Sequence, residues 1–507
     1  MGLAQAIHGA RFARGRLPPV RRGKSPSTSN QPSLEAVRRA AELYAQVRQS
    51  TAPADLVIAR DFKARPPKHS STRGEAAALA YIALRRGLYL DELMDLADRS
   101  RQLPPMEPGP QAIAFALLDA QRWKRPETLD VIATAFRMRR AEVTALAEFF
   151  DSKRGLPNYR TKAGLWLAKR LGFPEWVVNR VRVRFPKEVS AAVTALNEEP
   201  PLAARVNTAL GTRESVAAAL SAEHISSEPG AFSPDALILA RDHDVFATEA
   251  FRAGLFEIQD EGSQLIGHIV APHPGHRVLD LCAGAGGKTL HLGALMKGKG
   301  EVIAYDADPR KLTRARKRVR RSGLQNVRLV ESEDAFRDVV ARLGGKFDRV
   351  LVDAPCSGLG TVRRSPDITL RITEEAIERL AVIQGDLLEQ AAGLVAPGGR
   401  VVYATCSILD DENGAPVRAF LKKHPEFRVV PAAKAFPPGE EYDAARTAAG
   451  DSKYFELWPH RHGTDGFYAA VLEKILVESV PSPVAESDEV PVEDGTEPGV
   501  TEESASA

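Results

Sequence analysis

Cys282, Cys356 and Cys406, the three cysteines of a 507-residue chain, are the side chains best suited to covalent chemistry. Each follows a short apolar run and leads into a turn: Asp280-Leu-Cys282-Ala-Gly284-Ala-Gly286-Gly287-Lys288, Asp353-Ala-Pro-Cys356-Ser-Gly358 and Thr405-Cys406-Ser407. Such runs have the profile of buried strands that deliver residues to loops. Two more loops of the same kind carry acids instead, Asp306-Ala-Asp308 and Glu331-Ser-Glu333-Asp334. In an open α/β sheet the loops beyond the carboxyl ends of the strands build the ligand site. Thiols, acids and glycines therefore converge on one edge. A free cysteine is usually a small core hydrophobe, but three unrelated core thiols would not all fall at that edge. Read from its own stretch, Cys356 is the first candidate nucleophile.

The glycine-rich turn admits three readings. A phosphate-binding P-loop needs glycine five positions before Gly287, where this chain has Cys282. A nicotinamide dinucleotide site finds a partial match in Gly284, Gly286 and Asp306. The third is an S-adenosylmethionine site. There the glycines admit backbone to the ligand, Asp306 accepts the ribose hydroxyls and Asp334 holds the adenine amino group. No phosphate-specific feature is present, which suits that cofactor. A zinc site is not expected, because the cysteines lack a CxxC pair and a nearby histidine. A thiol beside a methyl donor has a definite use. Thiolate addition at C6 of cytosine turns the ring into an enamine, and C5 can then attack the sulfonium methyl. The thiol must be partly exposed and in an electropositive place, and both loop thiols meet that description.

The elements that must position these loops follow from periodicity. Short β-branched runs at 277–281, 301–305, 327–330, 349–352 and 400–404 alternate with helical stretches at 289–296, 310–322 and 374–394. That alternation predicts a doubly wound, mostly parallel sheet with helices on both faces. Runs at 427–430 and 466–472 read as a closing strand pair. Upstream, apolar spacing predicts helices from residue 34, at 76–88 continuing through 92–97, and then at 111–121, 127–136, 141–150, 163–171 and 174–183. Pro104, Pro105, Pro108 and Pro110 read as a connection. The expected organisation is a basic arm over 1–32, a helical domain over 33–185, a small α/β domain over 186–262, a catalytic α/β domain over 263–475 and an acidic tail over 476–507. The arm has no acid and no apolar core segment, so it is not a secretory signal; an organelle transit peptide is the rival to a plain basic arm.

Charge points to a polyanionic partner. The formal net charge is +3, but the residues from Glu478 onward hold nine acids and no lysine or arginine, so the body is more basic than the total suggests. No apolar run is long enough for a membrane span, and three cysteines make no disulfide framework. A cytoplasmic monomer without membrane contact is the expectation.

At these residues the chain resembles a known family, the RNA cytosine-5 methyltransferases of the Nop/Sun, RsmB-like group. The stretches LDLCAGAGGKT, YDADPRK, FDRVLVDAPCSGLGTVRRSPD, YATCSILDDEN and TDGFYAAVLEK carry the likeness in order, with PLAARVN and QDEGSQL upstream. The resemblance implies a Rossmann-like catalytic fold, S-adenosylmethionine as cofactor and RNA, most simply rRNA, as substrate. It places the nucleophile at Cys406 and makes Cys356 the second thiol, which assists product release. Asp353 becomes the acid that contacts the target base near the cofactor. Cys282, Ala283, Gly284, Ala285, Gly286, Gly287, Lys288, Asp306, Asp334 and Asp353 become the cofactor shell. Ala285 stands where the family commonly has proline. The helical region is similar in place and size to a NusB-like RNA-binding domain. Arg363 and Arg364, after the Pro-Cys loop, and Arg205 in PLAARVN are the expected RNA contacts, with the arginine-rich helix 310–321 beside them. A DNA cytosine-5 methyltransferase would leave Cys406 unexplained. A non-catalytic RNA-binding or ribosome-assembly factor would not require the intact thiols and glycine turn.

Overall fold

The computed structural model describes residues 31–476 apart from 68, 102, 121–124, 154–162 and 242. The expected acidic tail beyond 476 and nearly all of the basic arm lie outside the described residues. No helix among the described residues is long and apolar enough to cross a membrane.

Two sheets organise the chain. The first joins β1 (Leu202–Val206), β2 (Ser227–Pro229), β3 (Ala236–Leu239) and β4 (Phe256–Ile258) in the order β2-β3-β1-β4, all antiparallel. The second joins β5 (Arg277–Asp280), β6 (Glu301–Tyr305), β7 (Val327–Val330), β8 (Phe347–Asp353), β9 (Val395–Thr405), β10 (Phe427–Val430), β11 (Phe455–Leu457) and β12 (Phe467–Lys474). Its order is β10-β12-β9-β8-β5-β6-β7, with β11 pairing β12. Neighbours from β9 to β7 are parallel, whereas β12 runs antiparallel between β9 and β10. The five runs that the sequence marks as strands are the five parallel strands. Their β-branched residues, apart from Val327 at the start of β7, are buried because helices cover both faces.

Local signals account for the helices that follow these strands. Asp308 caps the helix Pro309–Ser322 through the Arg310 amide, proline opens its first turn and Gly323 closes it in the left-handed region. Thr373 caps the helix Glu374–Leu394. Elsewhere the structure departs from expectation. Pro108 and Pro110 open the helix Pro108–Ala120 and are not a connection. Their missing amide hydrogens have no intrahelical partner to lose there. The helix expected over 76–88 ends at Leu84, and a new one begins at Gly87. The helix Glu333–Arg342 was not anticipated.

The helical region divides between two cores. Helices from Leu34 to Lys153 share one hydrophobic core. The helices Ala163–Leu171, Glu175–Arg184 and Val189–Ala195 pack instead with Leu359, Val362, Ile408, Leu409 and Trp458. Leu359 and Ile408 lie just beyond Cys356 and Cys406, so this second core supports the two thiol loops from behind.

Buried charge holds the pieces together, and it corrects the expected RNA contacts. Arg205 is 2% exposed and donates to the Gly287 carbonyl at 2.6 Å and to the Gln259 side chain. Arg363 is 5% exposed and donates to the Gly463 and Thr464 carbonyls. Arg364 bridges Asp465 at 2.5 Å and Asp260 at 2.7 Å, two buried carboxylates on separate elements. Arg205 and Arg363 are thus buried on internal acceptors, whereas Arg364, although engaged by two carboxylates, keeps a side chain 28% exposed. Their proximity to motif loops in sequence reflects a structural use of the cation.

A second cluster joins the small sheet to the large one. Asp235 lies just ahead of β3, His268 in the helix Glu261–Val270 and His291 in the helix Gly287–Leu295. His291 Nε2 is 3.0 Å and His268 Nε2 3.2 Å from Asp235 Oδ2, and the Tyr442 hydroxyl is 3.1 Å from His268 Nδ1. Burial alone would raise the Asp235 carboxyl, but hydrogen bonds from His268 and His291 outweigh it and hold it below the usual range. An ionised carboxylate only accepts, so His291 donates to it from Nε2. The group offers three metal donors, one short of the tetrahedral set of a structural zinc.

These clamps make stability measurable predictions. Replacing Arg364 by Met strands Asp260 and Asp465, and urea unfolding should lose about 3–5 kcal/mol; unchanged stability with weakened RNA binding would contradict the clamp. Burial and the Arg205 charge push His291 down to about 3 from its ordinary 6.5. The unfolded chain then takes up a proton below about pH 6.5 that the folded chain refuses until far lower. Stability from this group is whole above that value and lost as pH falls, at about 1.4 kcal/mol per unit. Unfolding at pH 5 should therefore be easier by about 2 kcal/mol from His291 alone, and His291→Gln should flatten that slope.

Candidate active site

The sheet reverses direction at β5. The chain steps outward through β6 and β7, then returns to place β8 on the other side of β5. This is the topological switch point of a doubly wound sheet, where the loops on either side part and leave a crevice. The loop after β5 holds the glycine turn and the loop after β8 holds Asp353 and Cys356. Leu281 donates its amide to the Leu351 carbonyl at 2.9 Å, which keeps the two strand ends level.

The glycine turn is shaped by sterics. Gly284 and Gly286 have φ of +56° and +81°, a region that disfavours side chains. A Cβ on Gly286 would also come within 3.0 Å of Ala315 on the neighbouring helix. Ala285 leaves the turn without the family's proline, and Arg318 holds it instead by donating to the Ala285 carbonyl at 2.9 Å. Beneath the turn Asp280 is wholly buried, takes the Thr289 hydroxyl at 2.7 Å and is pushed up to about 7 by burial.

A cavity of about 1140 Å³ opens beside this turn. Cys282, Gly284, Asp306 and Asp353 line it, as the sequence reading expects. Asp306 Oδ2 accepts the Gly284 amide and Oδ1 accepts the Asp308 amide, both at 2.9 Å, so this acid fixes the turn and the second loop together. Tyr305 and Phe336 stack at 4.3 Å between centroids and form an aromatic wall. Asp334 does not line the cavity. Its side chain is 95% exposed, and its neighbour Glu333 takes the place at the wall. Ala283, Ala285, Gly286, Gly287 and Lys288 form the turn behind the lining. Burial and the Asp280 charge hold the Cys282 thiol well above the ordinary range, so it stays neutral.

Beyond Asp353 lies the thiol pair. Cys356 Sγ and Cys406 Sγ are 3.4 Å apart and both are partly exposed. Their loops leave adjacent parallel strands in register, with Asp353 opposite Ala404. Gly360 donates to the Cys406 carbonyl at 2.8 Å, and any Cβ there would strike the Gly466 carbonyl at 2.2 Å. Glycine at 360 is thus what lets the loops approach. Lys288, with a side chain only 10% exposed, pairs with Asp353 at 2.7 Å and so puts a cation beside the acid that lines the cavity. Burial opposes the Lys288 charge, but Asp353 more than compensates and its affinity for the proton is raised. The Cys356 thiol is held well above the usual range by its hydrogen bond to Cys406, by burial, and by the charges of Cys406 and Glu412.

Sequence reading assigned no role to Glu412 or Asn413. Glu412 is wholly buried and accepts from both thiol loops, and Asn413 accepts the Thr405 hydroxyl. The signal was the polar run Asp410-Asp411-Glu412-Asn413 directly after an apolar strand and a thiol, with one acid turned inward.

Comparison with known proteins agrees with this architecture. Residues 267–473 match the family model of 16S rRNA methyltransferase RsmB/F. Residues 173–246 match the ferredoxin-like domain model of RsmF/B-like methyltransferases. Ribosomal RNA small subunit methyltransferase B of Pseudomonas putida is 34% identical over 60% of this chain and 67% of its own length. The probable ribosomal RNA small subunit methyltransferase B of Bacillus subtilis is 34% identical over 61% of this chain and 68% of its own length. The crystal structure of PH0851 superposes with a TM-score of 0.67 at 26% identity, covering 88% of this chain and 100% of that one. With the parallel sheet, the glycine turn and the thiol loops in the places these matches span, the chain belongs to the 16S rRNA methyltransferase RsmB/F family.

Proposed function

We propose that this chain transfers the methyl group of S-adenosylmethionine to C5 of a cytosine in RNA, and that the RNA is that of the small ribosomal subunit. The observation that carries the reading is the thiol pair at 3.4 Å, next to a cavity with an acidic and aromatic wall. The cavity suits the cofactor on chemical grounds. Its acids, Asp306, Asp308, Glu333 and Asp353, offer acceptors for a ligand's hydroxyls, with Arg310, Lys311 and Arg337 on the same lining. The stacked Tyr305 and Phe336 offer apolar area for a purine. S-adenosylmethionine, when bound, supplies a methyl group on an electrophilic sulfonium.

The residues of the chain do the rest. Cys406 attacks as thiolate and its sulfur bonds to C6 of the cytosine, which moves the C5–C6 π electrons to C5. C5 then takes the methyl group, water takes the C5 proton, and the electrons of that C–H bond re-form the C5–C6 double bond as the C6–S bond breaks and returns the thiolate. Asp353, fixed by Lys288 at 2.7 Å, holds the target base beside the cavity that it lines. Cys356 keeps its proton and acts at release.

Two measurements test this. With small-subunit rRNA, wild type should form 5-methylcytosine, seen by mass spectrometry. Cys406→Ala should lose the rate by on the order of a thousandfold or more, about 4 kcal/mol of transition-state stabilisation. Cys356→Ala should instead accumulate a covalent protein–RNA adduct on a denaturing gel; full activity in Cys406→Ala would end the proposal. For the cofactor, Asp306→Ala should weaken calorimetric binding of S-adenosylhomocysteine by roughly ten- to a hundredfold, the loss of a charge-assisted hydrogen bond.

A further inference from the structure

Two thiols in contact raise a question of identity: what makes one the nucleophile and the other its partner. Both follow a parallel strand and both are partly exposed. The asymmetry comes from the residues that follow them. Ser357 donates its amide to Glu412 Oε1 at 2.7 Å and its hydroxyl to Glu412 Oε2 at 2.6 Å. Ser407 donates its hydroxyl to the same Oε2. The two serine oxygens are themselves 3.3 Å apart. Gln384, from the helix Glu374–Leu394, donates to Glu412 Oε1 at 3.3 Å and to the Pro355 carbonyl at 3.0 Å. A single carboxylate, wholly buried, therefore receives donors from the residue after each thiol and from the helix behind them.

We propose that Glu412 is a positioning residue for methyl transfer, a carboxylate that ties the Cys356 loop to the Cys406 loop and gives the two thiols unequal roles. The proposal rests on the functional reading above and adds a residue to it that does not touch substrate. Burying a carboxylate is costly unless every lone pair is used, and here both oxygens are. Glutamine at this position can keep both ties, because the serine hydroxyls turn to accept from its amide NH2, so what it removes is the negative charge. The charge matters as well as the tie. Glu412 bonds directly to the backbone beside Cys356 and disfavours a second negative charge there. Cys356 is thereby the thiol that keeps its hydrogen, which leaves Cys406, 3.4 Å away, for the attacking role proposed above.

The test uses the full chain without RNA or cofactor. Peptide-resolved alkylation by iodoacetamide, followed from about pH 6.5 to about pH 9.5, reports each thiol separately. Wild type should modify Cys406 faster than Cys356. Glu412→Gln should shrink that ratio by about tenfold, the worth of one pKa unit, and in methyl-transfer assays should lower kcat with KM for RNA little changed. Ser357→Ala and Ser407→Ala each cut one tie and keep the carboxylate; both should change the ratio by a smaller factor. A folded Glu412→Gln with the wild-type ratio would overturn the proposal. If that variant does not fold, wild-type ratios in both serine variants would overturn it. Absence of 5-methylcytosine with wild-type enzyme would sink the functional reading alone, because the alkylation ratio is scored without any methyl transfer.

Discussion

Hydrogen-bonded register between parallel strands is the constraint on which the site depends. β5, β8 and β9 are far apart in sequence, yet their carboxyl ends are level because the ladders fix Asp280 opposite Leu351 and Asp353 opposite Ala404. A residue's distance past the strand end then decides its height above the sheet. Asp353 ends its strand and reaches the cavity; Cys356 and Cys406 lie just beyond and meet each other. A one-residue slip of β9 against β8 would move Cys406 by about 3.3 Å and turn its side chain to the opposite face. The apolar residues of β8 and β9, buried on both faces, prevent such a slip by specifying the pairing.

The second principle of the fold is the use of buried charge as mortar. Arg205, Arg364 and Arg318 each tie one element to another that was distant in sequence, through a carbonyl or a carboxylate. Guanidinium suits this use because it presents several donors in a rigid fork and does not lose its proton. The consequence for function is that the basic surplus of the chain cannot be read as an RNA-binding surface residue by residue. On the arginine-rich helix Pro309–Ser322, Arg318 and Arg321 turn inward to Glu257, whereas Arg314, Lys317 and Arg320 remain exposed. One sequence run thus serves two purposes, divided by the helical period.

What could be read from sequence and what could not follows the same line. The parallel strands were legible because burial on both faces writes a continuous β-branched run, and the helix Glu374–Leu394 was legible to the residue because its cap and its apolar period agree. The loops that line the cavity and carry the thiol pair were legible once strand order gave them a shared edge. Lost from view was everything that depends on where a side chain points after the backbone turns. Asp334 and Glu333 are adjacent acids, and only the onset of a helix at Glu333 decides which faces the cavity. Arg363 is polar and lies close to a catalytic motif in sequence, yet it is buried because its donors find the carbonyls of residues 463 and 464. Long-range hydrogen bonding leaves no local trace in composition or period.

The thiol pair shows why such contacts matter to chemistry and not only to stability. Two cysteines at 3.4 Å share one environment to first order, and a shared environment would ionise them alike. Catalysis through an adduct needs them unlike: one must hold charge to attack, the other must hold a proton. The difference has to come from groups that touch one loop more than the other, and those groups must themselves be immobile. A solvated lysine or glutamate would be screened and would move. Lys288, locked on Asp353, and Glu412, locked by both serines, are neither solvated nor free. In the reaction proposed above, the burial that makes the Glu412 charge expensive is also what holds it beside the Cys356 loop, a physical reason for such a reaction to be built over a packed sheet edge and not on an open surface.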